Sequence, residues 1–185
     1  MVDDARKGII QKLYSLGKIG EIEIQRGIDL AWAKKTGAPA LYRSQITHNL
    51  FLGGQYTLKG LMMMKSWGIT AVVSMRKRKP AIFTQVDWLK VLHLPTSDGT
   101  APKLPDLIRG VSFIKKEIDE DGKVYVHCWW GEGRGPTMAA AYLMSSGLTL
   151  EDALVQIRKV RTFIRPTKVQ LAQLEKYSEF LAKNQ

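Results

Sequence analysis

The chain has 185 residues, with 28 Lys and Arg against 17 Asp and Glu, and therefore a formal net charge of +11. This length suits a single domain with a sizeable core, because domains of about 100–200 residues are the common size. No apolar run approaches the ~18 residues that a membrane span needs, so the sequence predicts no span. The positive charge favours anionic partners, but phosphoproteins, phosphoinositides and RNA all satisfy it.

The cysteine and histidine content limits the chemistry further. Cys128 is the single cysteine, so no disulfide can form within the chain. The first seven residues also lack the order of a signal peptide, and a reducing cytoplasm is the expected location. Three scattered histidines and one cysteine do not have the spacing of a metal site. We therefore expect neither a metal nor another cofactor.

The apolar pattern predicts an N-terminal helical arm and then an alternation of strands and helices. Residues 4–36 are predicted as two helical segments, with a break near Gly17 and Gly20. This arm could pack on the rest of the chain, cap its active face or bind a partner, and packing is the expectation. Predicted strands follow at residues 41–43, 49–52, 69–75, 88–94 and 123–126. Predicted helices lie at residues 56–67, 104–120, 136–146, 150–163 and 167–183.

Helices between successive strands indicate an α/β fold, with a central, mostly parallel (mixed) sheet of about five strands and helices on both faces. We expect residues 1–40 to form a helical extension and residues 41–185 a catalytic domain. Ligands of such sheets bind beyond the carboxyl ends of the strands, which is where Cys128 falls.

The segment at residues 124–137, VYVHCWWGEGRGPT, carries the clearest chemistry. Five residues separate Cys128 from Arg134, a length that lets the loop curl around one tetrahedral oxyanion. Gly131 and Gly133 permit tight turns, and the N–H groups at a helix N-terminus cradle phosphate. Arg134 is expected to hold two phosphate oxygens in a bidentate fork. The same positive field would keep Cys128 as the thiolate, which is the attacking form.

This His-Cys, five residues, Arg pattern resembles the signature loop of the cysteine-dependent protein tyrosine phosphatases, and most of all their dual-specificity branch. Residues 46–54 resemble the opening strand motif of that branch, and residues 137–144 resemble its post-loop helix. Arg158, Arg161 and residues 165–166 are similar to its penultimate helix and the turn after it. The resemblance spans roughly residues 41–180. It implies hydrolysis of phosphotyrosine, phosphoserine or phosphothreonine proteins through a cysteinyl-phosphate intermediate.

The resemblance also implies roles for individual residues. Cys128 would be the nucleophile and Arg134 the clamp, and the loop between them would bind phosphate. That loop consists of Trp129, Trp130, Gly131, Glu132 and Gly133. The general acid should be a carboxyl on a loop that can close over the substrate. Asp98 lies 30 residues before Cys128 (128 − 98), beside a glycine, and is the candidate, although Asp before Gly also simply begins turns. Asp87 and Asp106 are weaker candidates.

Supporting roles follow from the same resemblance. His127 would orient the loop, and Gln170, or alternatively Gln173, would position the attacking water. Gly135 stands where the family usually has Ser or Thr, whose hydroxyl helps to expel the thiolate. We therefore expect a slow second step unless Thr137 or water substitutes.

Several alternatives stay open at this point. Glu132 would repel phosphate if it pointed inward, so it should point outward or pair with a base. Trp129 and Trp130 could form the pocket wall and stack on a phenyl ring or nucleobase, or lie in the core. The basic run at residues 76–79 could select multiply anionic substrates or be a solvated face.

The expected partner is a phosphorylated protein or another anionic phosphoester, with phosphate, sulfate or vanadate able to occupy the loop. Nucleic acid is possible but not favoured. The alternative functions are a phosphoinositide phosphatase or RNA 5′-phosphatase on the same fold. A low-turnover phosphate-binding module is the further alternative, suggested by Gly135 and Glu132.

Overall fold

The structure is a computed structural model that describes residues 2–81 and 86–184, with side chains from residue 17 onward. Its strands are β1 (Leu50–Gly53), β2 (Ile69–Ser74), β3 (Lys90–His93) and β4 (Lys123–His127). Its helices are α1 (Val2–Thr36), α2 (Leu58–Ser66), α3 (Leu104–Asp119), α4 (Arg134–Ser145), α5 (Leu150–Val160) and α6 (Lys168–Lys183).

The strands form one sheet in the order β1-β4-β2-β3, and each of these three pairings is parallel. Strand β4 is buried along four of its five residues, and five of the six residues of β2 are buried. Such strands give continuous apolar runs because helices cover both faces of a parallel sheet. β4 lies between two neighbours, so the loop that follows it emerges near the middle of the sheet edge.

The core has a part on each face of the sheet. On one face, Leu52 and Val126 pack with apolar side chains of α3, α4, α5 and α6. On the other face, Phe51 and Tyr125 pack with α2. Successive strand residues point to opposite faces, and this alternation explains the division. The arrangement fixes the end of β4 between two packed layers.

The predicted α/β fold is confirmed, and two local predictions are wrong. The strand expected at residues 41–43 is a turn of 3-10 helix, Leu41–Arg43, so the described sheet has four strands rather than about five. Leu41 and Tyr42 are exposed and have no sheet face to cover. The break expected near Gly17 and Gly20 is absent, because α1 runs through both glycines. A glycine lowers helix stability by only about 1 kcal/mol, which a long helix tolerates.

The C-terminal half of α1 lies against the domain. Asp29 is only 2% exposed, whereas Ile24, Ile28 and Trp32 face solvent. Packing was the expected arrangement for this arm, and the division at residue 40 stays a prediction. Within the described ranges, no helix is long and apolar enough to cross a membrane.

Candidate active site

Cys128 directly follows β4 and begins a loop that ends where α4 starts at Arg134. Its side chain is 2% exposed, and its Sγ accepts a hydrogen bond from the Gly131 N–H at 3.3 Å. Gly131 has φ +71°, and a Cβ there would lie 2.4 Å from the carbonyl carbon of Gly53. Both the positive φ and this close approach require glycine. The loop therefore curls tightly back over the Cys128 side chain.

Three distant segments meet at a cavity of about 200 Å³ beside Cys128. Its lining comes from the loop after β3, the loop after β4 and the start of α6: Asp98, Gly99, Cys128, Trp130, Glu132, Gly133, Arg134, Arg165, Thr167 and Gln170. The three residues predicted to be catalytic are thus brought together, and Asp87 and Asp106 are not part of this lining. Among the side chains that the structure describes, no group of three or more His, Cys, Asp or Glu could hold a metal ion.

Arg134 is 5% exposed and held by the backbone behind the cavity. Its Nη1 donates to the carbonyl of Thr96 at 2.9 Å, and its Nη2 lies 2.7 Å from Asp98 Oδ1. Its Nε is buried and has no partner among the described residues. A largely buried guanidinium with an unpaired donor can form strong, charge-assisted hydrogen bonds to an anion. The Asp98 side chain is 80% exposed, so this carboxylate covers the guanidinium from the solvent side.

His127 is fully buried next to Cys128. Its Nδ1 lies 3.0 Å from the Cys128 carbonyl, and its ring packs against Tyr56 and Tyr125 with centroids 5.0 and 5.9 Å away. The carbonyl can only accept, so Nδ1 carries the hydrogen. Burial lowers the pKa of His127 to about 3, which keeps the imidazole neutral at ordinary pH. His127 therefore fixes the Cys128 backbone and does not act as a proton carrier near pH 7.

Gln170 is 1% exposed and lies on the cavity wall. Its Oε1 accepts from the Thr167 N–H at 2.9 Å, and its Nε2 donates to the Thr100 carbonyl at 2.8 Å. Thr167 Oγ1 donates to the Gly99 carbonyl at 3.1 Å. The cap of α6 thus anchors the loop that carries Asp98. The sequence signal for this anchor was the Thr-x-x-Gln capping box, which sequence reasoning overlooked.

The side chains of Glu132 and Thr137 are both held by hydrogen bonds to other protein groups. The carboxylate of Glu132 accepts from Arg26 Nε at 2.6 Å, so it pairs with a base as expected. Thr137 donates its hydroxyl to the Gly133 carbonyl at 2.9 Å within its own helix. This geometry does not support a role for Thr137 in place of a hydroxyl at residue 135. A Cβ on Gly135 would lie 3.6 Å from the Cys128 nitrogen and 3.0 Å from Leu52 Cδ1.

Both loop tryptophans are partly exposed rather than in the core. Trp129 and Trp130 are 43% and 45% exposed, and Trp130 lines the catalytic cavity. The Arg76 guanidinium lies 4.0 Å from the centroid of the Trp129 ring. Burial, and then the positive charge of Arg134, lower the pKa of Arg76. The remaining basic residues of this run, 77–79, are exposed.

Arg161 is a buried residue behind the loop for which the sequence predicted no role at the site. It follows α5, is fully buried, and bonds to carbonyls of the loop after β4 and to Asp29 of α1. The sequence indicates Arg161 only through the resemblance, because no local pattern identifies partners that lie 30 to 132 residues away.

Comparison with known proteins agrees with this geometry. Residues 50–180 match the family described as dual specificity phosphatase, catalytic domain. The chain belongs to this family. Phosphatidylglycerophosphatase and protein-tyrosine phosphatase 1 of Rattus norvegicus is 32% identical over 159 residues, which cover 79% of this chain and 80% of that protein. Dual specificity protein phosphatase 16 of Homo sapiens is 33% identical over 146 residues, covering 77% of this chain but only 21% of that protein.

A solved structure, PTPMT1 in complex with PI(5)P, superimposes with a TM-score of 0.69 at 26% identity. The superposition covers 75% of this chain and 96% of the other. These similarities confirm the predicted family, the phosphatase-like fold and a dual-specificity phosphatase domain. The roles of the individual site residues stay predictions.

Proposed function

We propose that this dual-specificity phosphatase domain hydrolyses phosphate monoesters on proteins, with Cys128 as nucleophile, Arg134 as phosphate clamp and Asp98 as general acid. The observation that carries the proposal is the meeting of these three side chains at one small cavity. A thiol, a buried guanidinium and an exposed carboxyl are the groups that the two-step reaction needs.

In the first step, the Cys128 thiolate attacks phosphorus and the ester oxygen leaves with a proton from Asp98. The N–H groups of the loop and the Arg134 guanidinium hold the equatorial oxygens, where charge accumulates in the transition state. The Gly131 N–H, which bonds Sγ in the free protein, stabilises the thiolate before attack. Cys128 then carries the phosphoryl group as a cysteinyl phosphate.

The ion pair between Asp98 and Arg134 determines when Asp98 is available as the general acid. In the free protein, the Asp98 carboxylate occupies one donor of the clamp at 2.7 Å. An incoming phosphate dianion is a stronger partner for Arg134, and it repels the carboxylate. Displacement from Arg134 frees Asp98 to face the ester oxygen of the bound substrate, where its protonated form acts as the general acid.

In the second step, water attacks the cysteinyl phosphate, and Asp98 takes the proton of that water. Gln170 lies on the cavity wall and is our candidate for orienting this water. Both ends of its carboxamide are already bonded, so this role requires it to exchange one of those bonds for the water. Because Gly135 has no hydroxyl to assist the departing thiolate, we propose that this second step limits turnover.

The half-exposed Trp130 ring supports an aryl phosphate as substrate, since it can stack on the phenyl ring of phosphotyrosine. The second candidate function is inositol-lipid phosphatase. It is favoured by the 26% identical structure in complex with PI(5)P. Vanadate should compete with either substrate for the loop. The single thiol supports a reducing compartment, and the cytoplasm is our proposed location.

Two variants test the mechanism. Cys128→Ser should abolish hydrolysis of p-nitrophenyl phosphate, and retained turnover would refute the nucleophile. Asp98→Asn should reduce turnover of phenyl phosphate, a poor leaving group, far more than that of p-nitrophenyl phosphate. Equal losses on both substrates would argue against the acid role. Asp106→Asn is the matched control, since Asp106 pairs with Arg109 at 3.5 Å in the first turn of α3.

A substrate panel separates the two candidate functions. Phosphotyrosine and phosphoserine peptides, PI(5)P and 5′-triphosphate RNA would be compared by phosphate release at equal enzyme concentration. We expect the largest kcat/KM on phosphotyrosine peptide. A higher value on PI(5)P would favour the lipid, and binding of peptide without phosphate release over hours would favour a binding module.

A further inference from the structure

The loop after β4 is held from behind by Arg161, a fully buried residue. Its Nη2 donates to the Trp130 carbonyl at 3.0 Å, and its Nε donates to the Gly131 carbonyl at 3.2 Å. Its Nη1 donates to the Arg43 carbonyl at 3.2 Å. Two successive carbonyls of the loop are therefore directed toward one guanidinium.

This arrangement determines where the N–H groups of the loop point. The C=O and N–H of a trans peptide unit point in opposite directions. In the peptide unit between Trp130 and Gly131, the Trp130 carbonyl accepts a hydrogen bond from Arg161. The N–H of the same unit, on Gly131, donates to Cys128 Sγ at 3.3 Å. In the next peptide unit, between Gly131 and Glu132, the Gly131 carbonyl accepts from Arg161. The Glu132 N–H therefore points away from the guanidinium. Arg161 thus orients the donors on which phosphate binding depends.

Arg161 is in turn neutralised by Asp29 of α1. Its Nη2 lies 3.2 Å from Asp29 Oδ2, with side chains 1% and 3% exposed. One helical turn earlier, Arg26 Nε contacts Glu132 Oε1 at 2.6 Å, and one turn before that, Glu23 contacts Arg165. Residues three apart lie on one helix face, so α1 presents these three charged groups together. All three lie outside residues 50–180, the segment that matches the family.

Stability alone explains the pair between Asp29 and Arg161 poorly. A buried ion pair gains little unless every polar atom is satisfied. Asp29 Oδ1 is buried without a partner in the described part of the chain. A half-satisfied buried carboxylate is an inefficient way to hold a helix in place. It is an effective way to fix a guanidinium whose other bonds orient the loop.

We propose that α1 is part of the catalytic apparatus, with Asp29 as a positioning residue that sets the phosphate loop through Arg161. Arg26 complements it by holding the carboxylate of Glu132, which would otherwise repel phosphate at the cavity. The N-terminal helix is therefore a component of the active site rather than a separate arm. This inference rests on the proposed function of the loop.

The test uses the full chain with Asp29→Ala and Asp29→Asn. The control is Glu21→Ala, an exposed acid on the same helix whose carboxylate meets Gln25 at 3.5 Å. The measurements are kcat and KM with p-nitrophenyl phosphate, inhibition by vanadate, the rate of Cys128 alkylation by iodoacetamide at pH 7, and the melting temperature.

We expect Asp29→Ala to lower kcat/KM by about 10²-fold, the typical effect of misplacing catalytic groups by 1 Å. Vanadate inhibition should weaken in parallel, and alkylation should slow because the thiolate loses an oriented donor. Asp29→Asn keeps an oxygen that can accept from Arg161 Nη2, so its kcat/KM should fall less than that of Asp29→Ala. Glu21→Ala should match the wild type.

The inference is overturned if both Asp29 variants are folded at the assay temperature and keep wild-type kcat/KM, vanadate inhibition and alkylation, even with lower melting temperatures. If Asp29→Ala does not fold, Asp29→Asn decides the question. If the wild type hydrolyses no phosphomonoester, the proposed function fails separately. Vanadate binding and alkylation then still measure whether Asp29 sets the loop.

Discussion

Acidification should destabilise the folded chain through His127. Burial lowers the pKa of His127 from 6.5 to about 3 in the folded state. Above pH 6.5 the imidazole is neutral in both states and contributes no pH dependence. Between pH 6.5 and 3, the unfolded chain binds a proton that the folded chain does not, so the free energy of unfolding falls as the pH falls. At pH 5, the ratio of protonated to neutral imidazole in the unfolded state is about 30, which corresponds to about 2 kcal/mol.

Urea unfolding at pH 8, 6.5 and 5 measures this effect. Wild type should lose about 2 kcal/mol more than His127→Gln between pH 8 and pH 5. His48→Gln removes an exposed imidazole and should keep the wild-type decline. Parallel pH dependence of wild type and His127→Gln would refute the reasoning, because it would mean that the buried imidazole takes up its proton without penalty.

Two glycines of the site give further predictions. Gly135→Ser should bring a hydroxyl beside Cys128 and speed breakdown of the cysteinyl phosphate, so a burst of p-nitrophenol should precede steady-state turnover in wild type and shrink in the variant. Gly135→Ala is the control, and equal bursts in the two variants would refute a role for the hydroxyl. Gly131→Ala should lower stability by ~1–2 kcal/mol from the positive φ alone, and by more because its Cβ would meet Gly53 at 2.4 Å. Gly99 has a similar φ, +73°, and a Cβ there would have no atom within 4 Å. Gly99→Ala should therefore lower stability only by the ~1–2 kcal/mol that the positive φ costs, as measured by thermal unfolding. Similar losses in the Gly131 and Gly99 variants would contradict this prediction.

The sequence was informative where structure depends on local pattern. Strands β2 and β4 are apolar runs buried on both faces, and the pattern located each to within a residue or two at either end. The placement of Cys128 and Arg134 at one cavity was predictable because both belong to a single loop of seven residues. Asp98 needed the resemblance, since a carboxyl before a glycine has several ordinary uses.

Long-range pairs were not predictable. Asp29 and Arg161 are 132 residues apart, and neither periodicity nor composition indicates that a charge on α1 neutralises one beyond α5. The partner of Glu132 could be predicted as a base, but not as Arg26. The continuity of α1 through Gly17 and Gly20 was also hidden, because helix propensity is a weak constraint on a helix of 35 residues.

Cys128, the proposed nucleophile, is the single sulfhydryl among the 185 residues, and this has a consequence for oxidative damage. Peroxide converts a reactive thiolate to sulfenic acid, which a neighbouring thiol can trap as a disulfide before it oxidises further. Cys128 has no second thiol within these 185 residues to do this. A thiol that traps this sulfenic acid must therefore come from outside these residues and reach Cys128, which is 2% exposed, before the sulfur becomes sulfinic acid. The burial of Cys128 thus also limits which thiols can repair it after oxidation.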